Sequence, residues 1–343
     1  MTEIVVMGAG MAGLTCARHL QAAGHEVVVL DKSRGVGGRV ATRRLVGAIA
    51  DHGARSLEIQ GSLTQSLIQA LQQQGILQIW TDQEQRFTSA GIMSSPAPHP
   101  QFCAPEGMTA IAKFLAQGLE VRRSQRVVAI APKSDQTWQL TLVDDTTQTG
   151  TALSAERLIL AIPAPQAVAL LAPLADTLLG EFWRSLQSIT FDPCLTAIAT
   201  YSTECQPELE SLPWRSLHID HADARFRWIG MDSSKRLSPS PPVCVVHSTA
   251  NFAERHLEAD DLGAIGRLML EQAAEWLLPW LREPEQLQVH RWRYAFPRTV
   301  LSSPFLAIAE PIPLCCVGDW CLGQTIEAAM QSGLAAAQWL VEQ

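Results

Sequence analysis

Gly8-Ala9-Gly10-Met11-Ala12-Gly13 follows directly on the apolar run Ile4-Val5-Val6-Met7. The spacing is G-x-G-x-x-G, with a strand pattern before it and a helix pattern after it. A second apolar run, Val27-Val28-Val29-Leu30, closes at Asp31. Each part serves the binding of a dinucleotide. Gly8 permits the tight turn, Gly10 lets a pyrophosphate approach the backbone, and Gly13 lets helix and strand pack closely. Met11 and Ala12 open the helix, whose free N–H groups and partial positive charge suit phosphate. Asp31 is placed to accept from a ribose hydroxyl. An ordinary βαβ unit with a Gly-rich turn would explain the glycines but not the acid at this distance.

The residues that follow narrow the cofactor. Lys32-Ser33-Arg34-Gly35-Val36-Gly37-Gly38-Arg39 is a second basic, Gly-rich segment, where a simple nicotinamide-binding fold would enter its next helix. Gly38 gives a ligand close access to the backbone, and Arg34 and Arg39 can offset phosphate charge. The bland alternative is a solvated basic loop. This arrangement resembles the FAD-binding domain of the glutathione reductase and amine oxidase superfamily. A third signal lies near the other end, where a strand closes in Gly318-Asp319 and a helix follows over 325–341. In FAD folds of this type the aspartate binds the ribityl or pyrophosphate region. The helix start, here Thr325 and Ile326, points at the flavin, where its positive end favours a reduced, anionic ring.

Composition sets the class. The chain has 343 residues, 47% hydrophobic and 17% charged, enough for two lobes. Its net charge of −8 argues against a nucleic-acid groove. The eight cysteines contain no C-x-x-C pair, so they are expected to be reduced and structural. That removes the disulfide-reductase branch, which needs a redox-active pair. No His/Cys/carboxylate cluster has metal-ligand spacing. The absence of a long apolar stretch predicts no membrane span. The early strand argues against a cleaved leader, so a cytoplasmic location is expected.

Periodicity predicts helices over 12–23, 62–74 and 108–116, with an irregular, proline-containing loop over 94–105. Strands at 120–122, 126–130, 137–143 and 157–162 read as a β-meander inserted into the nucleotide-binding domain. Beyond 165, helices at 166–171 and 262–280 alternate with strands at 194–201, 214–219, 225–231, 243–249 and 288–294. A loop at 238–242 joins two of these strands. The expected fold is α/β. A discontinuous Rossmann-like FAD domain (1–60, 106–165, 306–343) would carry an α+β substrate domain (61–105, 166–305) built on an antiparallel sheet.

The motif through Arg44, together with Asp51-His52-Gly53-Ala54, His290-Arg291-Trp292-Arg293-Tyr294-Ala295 and Gly318-Asp319-Trp320-Cys321, resembles renalase and its bacterial relatives. The resemblance implies a p-hydroxybenzoate hydroxylase-like fold and noncovalent FAD. It implies oxidation of dihydronicotinamide isomers, with O2 reduced to H2O2. NAD(P)(H) would then be a substrate or ligand. In such flavoproteins the segment equivalent to Val127-Val128 contacts adenine through its backbone. The family's Gln-Tyr-Phe after this Asp-His-Gly-Ala is replaced here by Arg55-Ser56-Leu57, so the substrate is open to change. Hydride transfer to flavin N5 needs stacking and orientation more than acid/base groups. His247 and Trp292 are the substrate-side candidates, weighed against a satisfied sheet histidine and a core tryptophan.

Two other readings stand beside this one. A flavin amine oxidase would share the FAD motifs but usually sets a lysine near N5 and an aromatic pair around the amine. This chain has four lysines and two tyrosines, and Lys235 is expected in a surface loop. A non-catalytic FAD- or NAD(P)-binding protein is the third.

Overall fold

The computed structural model describes residues 2–176, 180–238 and 240–343. Pro239, in the expected 238–242 loop, lies outside the described residues. The chain opens with β1 (Thr2–Met7), α1 (Met11–Ala22) and β2 (Val27–Leu30), then the hairpin β3 (Thr42–Leu45) and β4 (Ala48–Asp51). After α2 (Ser62–Gln73) comes a longer hairpin, β5 (Gln78–Thr88) and β6 (Gly91–Cys103). α3 (Thr109–Leu115), β7 (Glu120–Arg122), β8 (Gln125–Pro132), β9 (Trp138–Asp144) and β10 (Gly150–Leu160) return the chain to the first sheet. α4 (Ala164–Leu171), α5 (Gly180–Gln187), β11 (Phe191–Thr200), α6 (Gln206–Ser211), β12 (Ser216–Ile219), β13 (Phe226–Met231) and β14 (Val243–Ser248) follow. The chain ends with α7 (Ala250–His256), α8 (Leu262–Trp276), β15 (Gln286–Pro297), β16 (Leu306–Ile308), β17 (Leu314–Cys316) and α9 (Ile326–Val341).

The first sheet runs β16-β17-β10-β1-β2-β7, with β8 and β9 joined through β10. β1 is parallel to both β2 and β10. Its side chains alternate between two cores: Ile4 and Val6 enter one, Val5 and Met7 the other. That is the pattern of a strand covered on both faces. β10 belongs to two arrangements. Its first half pairs antiparallel with β9, and its second half pairs parallel with β1 and β17. The meander is therefore an outgrowth of the nucleotide-binding sheet.

The second sheet runs β15-β11-β14-β13-β12-β5-β6. One face buries Leu195, Ala197, Val246 and Ile229 with Met269 and Leu270 of α8. Ile198, Trp228 and Val245, on the other face, join the core that also holds Ile4 and Leu14. Two sheets are thus tied by one shared core.

Several elements depart from the sequence expectations. The 94–105 segment is not a loop, because 91–103 forms β6. Pro96, Pro98 and Pro100 alternate along it, and β6 is the sheet's edge, where a missing N–H leaves no ladder bond unmade. α8 stops at Trp276 rather than 280, and a 3-10 turn beginning at Pro279 follows. Lys235 is not in a surface loop: its side chain is fully buried. Its ammonium lies 2.7 Å from Asp232 Oδ1 and 3.4 Å from Asp51 Oδ2, and 4.8 Å from the centre of the Trp80 ring. Arg236 bonds both carboxylates. Burial works to raise the Asp51 pKa, but the fields of Lys235 and Arg236 hold it below the usual value. This four-charge cluster joins β4 to the turn after β13. All eight cysteines are free, and seven are buried. Among the described residues no helix is long and apolar enough to cross a membrane.

Candidate active site

Two glycine motifs meet at the head of α1. Gly8 takes φ +109°, and a Cβ on Gly13 would stand 2.0 Å from the Gly8 carbonyl oxygen, so no larger residue fits there. The second motif folds back over the first. Gly37 N donates to Ala9 O at 2.8 Å, and a Cβ on Gly38 would lie 3.4 Å from Gly10 Cα. Gly10 differs from its neighbours, because a Cβ built on it meets nothing within 4 Å. Gly10 is also the N-cap of α1 and has no side-chain cap. Met11 and Ala12 are buried in the first turn that it opens.

Asp31 is oriented by the backbone. Its carboxylate accepts from Ala9 N and Ser33 N, both at 2.7 Å. A carboxylate has further lone-pair sites, so a sugar hydroxyl can still be accepted. Beside it opens a hollow of about 570 Å³ lined by Lys32, Ser33, Arg34, Ser124, Asp145 and Thr146. Val128 is exposed, and the β8–β9 register shifts between Val127 and Ala129, which leaves Val128 as the bulged residue. A bulge frees backbone groups from the ladder. A second hollow, about 390 Å³ and lined by Arg225, Glu271, Gln272, Glu275 and Arg282, involves none of these cradle residues.

Gly318-Asp319 follows β17. Asp319 is buried and forms a two-bonded ion pair with Arg39, at 2.6 and 2.7 Å. Arg39 also donates to the Ala295 carbonyl of β15 at 2.9 Å. Thr325 caps α9, its hydroxyl accepting from Ala328 N at 3.0 Å, and Ile326 begins the helix. A Cβ on Gly333 would fall 2.1 Å from Ala12 O, which shows how closely α9 crosses α1. Glu327 is turned inward. Its buried carboxylate accepts from Leu63 N, Thr64 N and the Thr64 hydroxyl, so α9 caps the start of α2.

These groups fit an FAD. The open N-terminus of α1, the space beside Gly10, the oriented Asp31 and the freed backbone at Val128 match its pyrophosphate, ribose and adenine. All of them come from the first sheet and its connections.

On the second sheet, register builds a row. His290 stands opposite Thr196, Thr196 opposite His247, His247 opposite Trp228, and Trp228 opposite His218. Paired residues share a face, so three imidazoles line one side of the sheet. His247 is buried rather than set on a lip. Its Nδ1 accepts from Arg55 Nε at 3.4 Å, and its Nε2 is buried without a partner. A guanidinium N–H can only donate, so this contact assigns the imidazole proton to Nε2. Burial and the Arg55 charge push the His247 pKa well below the usual value. Burial also pushes His52, His218 and His290 down to about 4. All four imidazoles are neutral at pH 7.

Trp292 sits one pair further along β15, opposite Cys194. It donates from Nε1 to the His52 carbonyl at 3.0 Å and stacks on the His52 ring with centroids 5.2 Å apart. His52 precedes Gly53, where a Cβ would lie 1.9 Å from Arg39 O and 3.4 Å from Trp292. Segment 51–55 therefore brings the cradle to the sheet. Arg291 and Arg293 point to the other face, where Ala259 O and Glu258 receive them. His247 and Trp292 share a face: His52 and His290 pack on Trp292, and Trp228 and Arg55 on His247. Arg55, Trp228, His52 and His290 complete the surface. The two histidine-containing motifs, His247 and Arg55 were conspicuous in the sequence; Trp228 and His218 were not, because cross-strand register has no local signal.

A model of flavin-containing amine oxidoreductases matches residues 74–341, and one of NAD(P)-binding Rossmann-like domains matches residues 6–70. An L-amino-acid oxidase of Echis ocellatus is 60% identical over 42 residues, which is 12% of this chain and 8% of that protein. A protein assigned as a flavin-containing monoamine oxidase in Mycobacterium tuberculosis is 51% identical over 51 residues, 15% of this chain and 11% of its own. The matched stretch thus spans about a tenth of these curated relatives. Among solved structures, one assigned as a protoporphyrinogen oxidase from Exiguobacterium sp. 255-15 superposes with a TM-score of 0.76 at 15% identity, over 100% of this chain and 99% of the other. Cyclohexylamine oxidase from Brevibacterium oxydans IH-35A gives 0.72 at 11% identity, over 99% of each chain. At such identities these likenesses establish the fold.

Proposed function

The chain belongs to the flavin-containing amine oxidoreductase family and is an FAD-dependent oxidoreductase; from that premise we propose an oxidase of renalase type, taking hydride from a dihydronicotinamide-like small molecule and passing electrons to O2. Bound FAD supplies the two-electron acceptor at N5 and its reoxidation by O2 to H2O2. In this reading Gly8, Gly10, Met11, Ala12, Gly13, Lys32, Ser33 and Gly38 hold the pyrophosphate side. Asp31 and Val128 take the adenosine, and Arg39, Gly318, Asp319, Thr325 and Ile326 take the flavin side. The second sheet with its helices serves as the substrate domain and the first as the FAD domain.

His247, whose Nε2 is sealed in the sheet, acts through Arg55: its Nδ1 accepts from the Arg55 Nε and holds that guanidinium at the substrate side. Trp292, fixed by the His52 carbonyl, bounds the slot. Neither needs to move a proton, because a hydride donor requires orientation rather than acid/base chemistry.

The observation that carries the proposal is the make-up of this face. It offers two guanidiniums, Arg55 and Arg227, and four neutral imidazoles. Lys235 is held between two carboxylates. Among the described residues no carboxylate is bonded to the groups of this face, and Glu58 and Glu84 reach Arg55 and His218 only through their fields. The family match and the structural likeness to cyclohexylamine oxidase keep amine oxidation as the second reading.

Anaerobic stopped-flow separates the two. The FAD-loaded protein is mixed with dihydro-NAD isomers, with NADH and with benzylamine, and flavin bleaching is followed. Fast bleaching by the isomers alone supports the renalase-type reading. Fast bleaching by benzylamine overturns it.

A further inference from the structure

Among the described residues, neither the Arg55 nor the Arg227 guanidinium has an ion-pair partner. Arg55 lies with its Cζ 4.7 Å from the Trp228 ring centre, and its Nε contacts His247. Its two terminal nitrogens have no hydrogen-bond partner, and neither is sealed from solvent. Arg227 is the bulged residue of β13, where the register shifts between Phe226 and Trp228. Its guanidinium lies 4.8 Å from the Phe296 ring centre and meets no carboxylate. Burial and the nearby Arg227 charge lower the Arg55 pKa to about 9, so the two cations feel each other. Arg55 stays protonated at pH 7.

Neither neighbouring acid is bonded to the pair: Glu84 pairs with Arg86, and Glu58, whose field reaches Arg55, takes the Ser56 hydroxyl at 3.2 Å and touches neither guanidinium. Two like charges held together on aromatic rings, without a counter-ion, repel each other unless an anion joins them. Arg is suited to that role because its forked N–H groups match carboxylate and phosphate oxygens. Phe296 and Trp228 each hold one guanidinium by cation–π contact.

We propose that Arg55 and Arg227 form an oxyanion clamp, and that the physiological substrate carries a carboxylate or phosphate which docks between them, beside His247. The clamp rests on the reading of this face as the substrate side. It narrows the donor to an anionic one, and it accounts for an arginine at position 55, where the Gln-Tyr-Phe of the resembled family begins. The anion anchors one end of the molecule. Its oxidisable ring then reaches along the row toward Trp292 and segment 52–55.

Calorimetric titration of the FAD-loaded protein tests the clamp without turnover. Benzoate, phenyl phosphate, benzamide and benzylamine have one ring and differ in charge. Benzoate or phenyl phosphate should bind at least about tenfold tighter than benzamide, with benzylamine weakest. The stronger of the two anions identifies the oxyanion. Arg55→Gln and Arg227→Gln should each weaken the anion about tenfold and leave benzamide unchanged. Equal binding of benzoate, phenyl phosphate and benzamide by the unaltered protein overturns the clamp, whatever the variants do. So does tighter binding of benzylamine. Anion selectivity without bleaching by dihydronicotinamides would keep the clamp and sink the renalase-type reading; the reverse result would do the opposite.

Discussion

Arg39 and Asp319, 280 residues apart, face each other through two parallel hydrogen bonds of 2.7 and 2.6 Å. One closes the second glycine motif and the other heads the last strand-to-helix turn. The Arg39 side chain is 33% exposed and Asp319 7%. Partial exposure tempers the pair, so Asp319→Ala should cost about 1–3 kcal/mol. The expected result is a lower urea midpoint together with loss of bound FAD, read as the ratio of visible to ultraviolet absorbance. An unchanged ratio would remove this pair from the cofactor site.

Gly10 and Gly13 should fail in different ways. A side chain on Gly13 collides with the Gly8 carbonyl, so Gly13→Ala should lower Tm and FAD content together. A side chain on Gly10 meets only open space. Gly10→Val is therefore expected to give a folded, colourless protein. Far-ultraviolet circular dichroism and the visible spectrum check both. A yellow Gly10→Val protein would contradict the placement of the pyrophosphate.

The buried cluster of Asp51, Asp232, Lys235 and Arg236 is neutral as a whole. Removing one member strands a charge, so Lys235→Met should destabilise by about 3–5 kcal/mol. Pairing it with Asp232→Leu restores charge balance and should recover part of the loss. A double variant weaker than the single one by the full Asp232 cost would show that no coupling exists. The cluster also sets an acid limit. The Asp51 pKa is lower folded than unfolded, so its contribution is present above the ordinary carboxylate pKa and is lost as pH falls through the folded value.

Histidines set a second, milder pH limit. His52, His218 and His290 are near 4 in the folded protein, below the unfolded imidazole value of about 6.5. Between those values the unfolded chain binds more protons, so stability should fall as pH drops from about 6.5 toward 4. Tm measured across that window should decline, and His290→Gln should flatten the slope. A Tm constant from pH 7 to pH 4.5 would show that these rings are not held neutral.

The first sheet and its cradle were legible because glycines, apolar runs and capping acids carry local meaning. The Gly8–Gly13 spacing and the acid at Asp31 encode a turn and a distance. The second sheet was legible as strands but not as a surface. Nothing local places Thr196 between His247 and His290, since a ladder is written by residues far apart. The prolines at 96, 98 and 100 misled because they speak against a central strand, and only the assembled sheet reveals an edge. Lys235 misled for a related reason. A lysine among serines reads as solvated until Asp51, 184 residues earlier, comes to meet it.

The position of α9 has a consequence for biosynthesis. Its glycine crosses Ala12, its carboxylate caps α2, and the turn before it carries the partner of Arg39. At a ribosomal rate of roughly 5–20 residues per second, the amino-terminal cradle waits roughly 15–60 s for these last contacts to emerge. A chain interrupted before Ile326 would lack the Ala12 crossing and the α2 cap, so the two glycine motifs close only once α9 has been made.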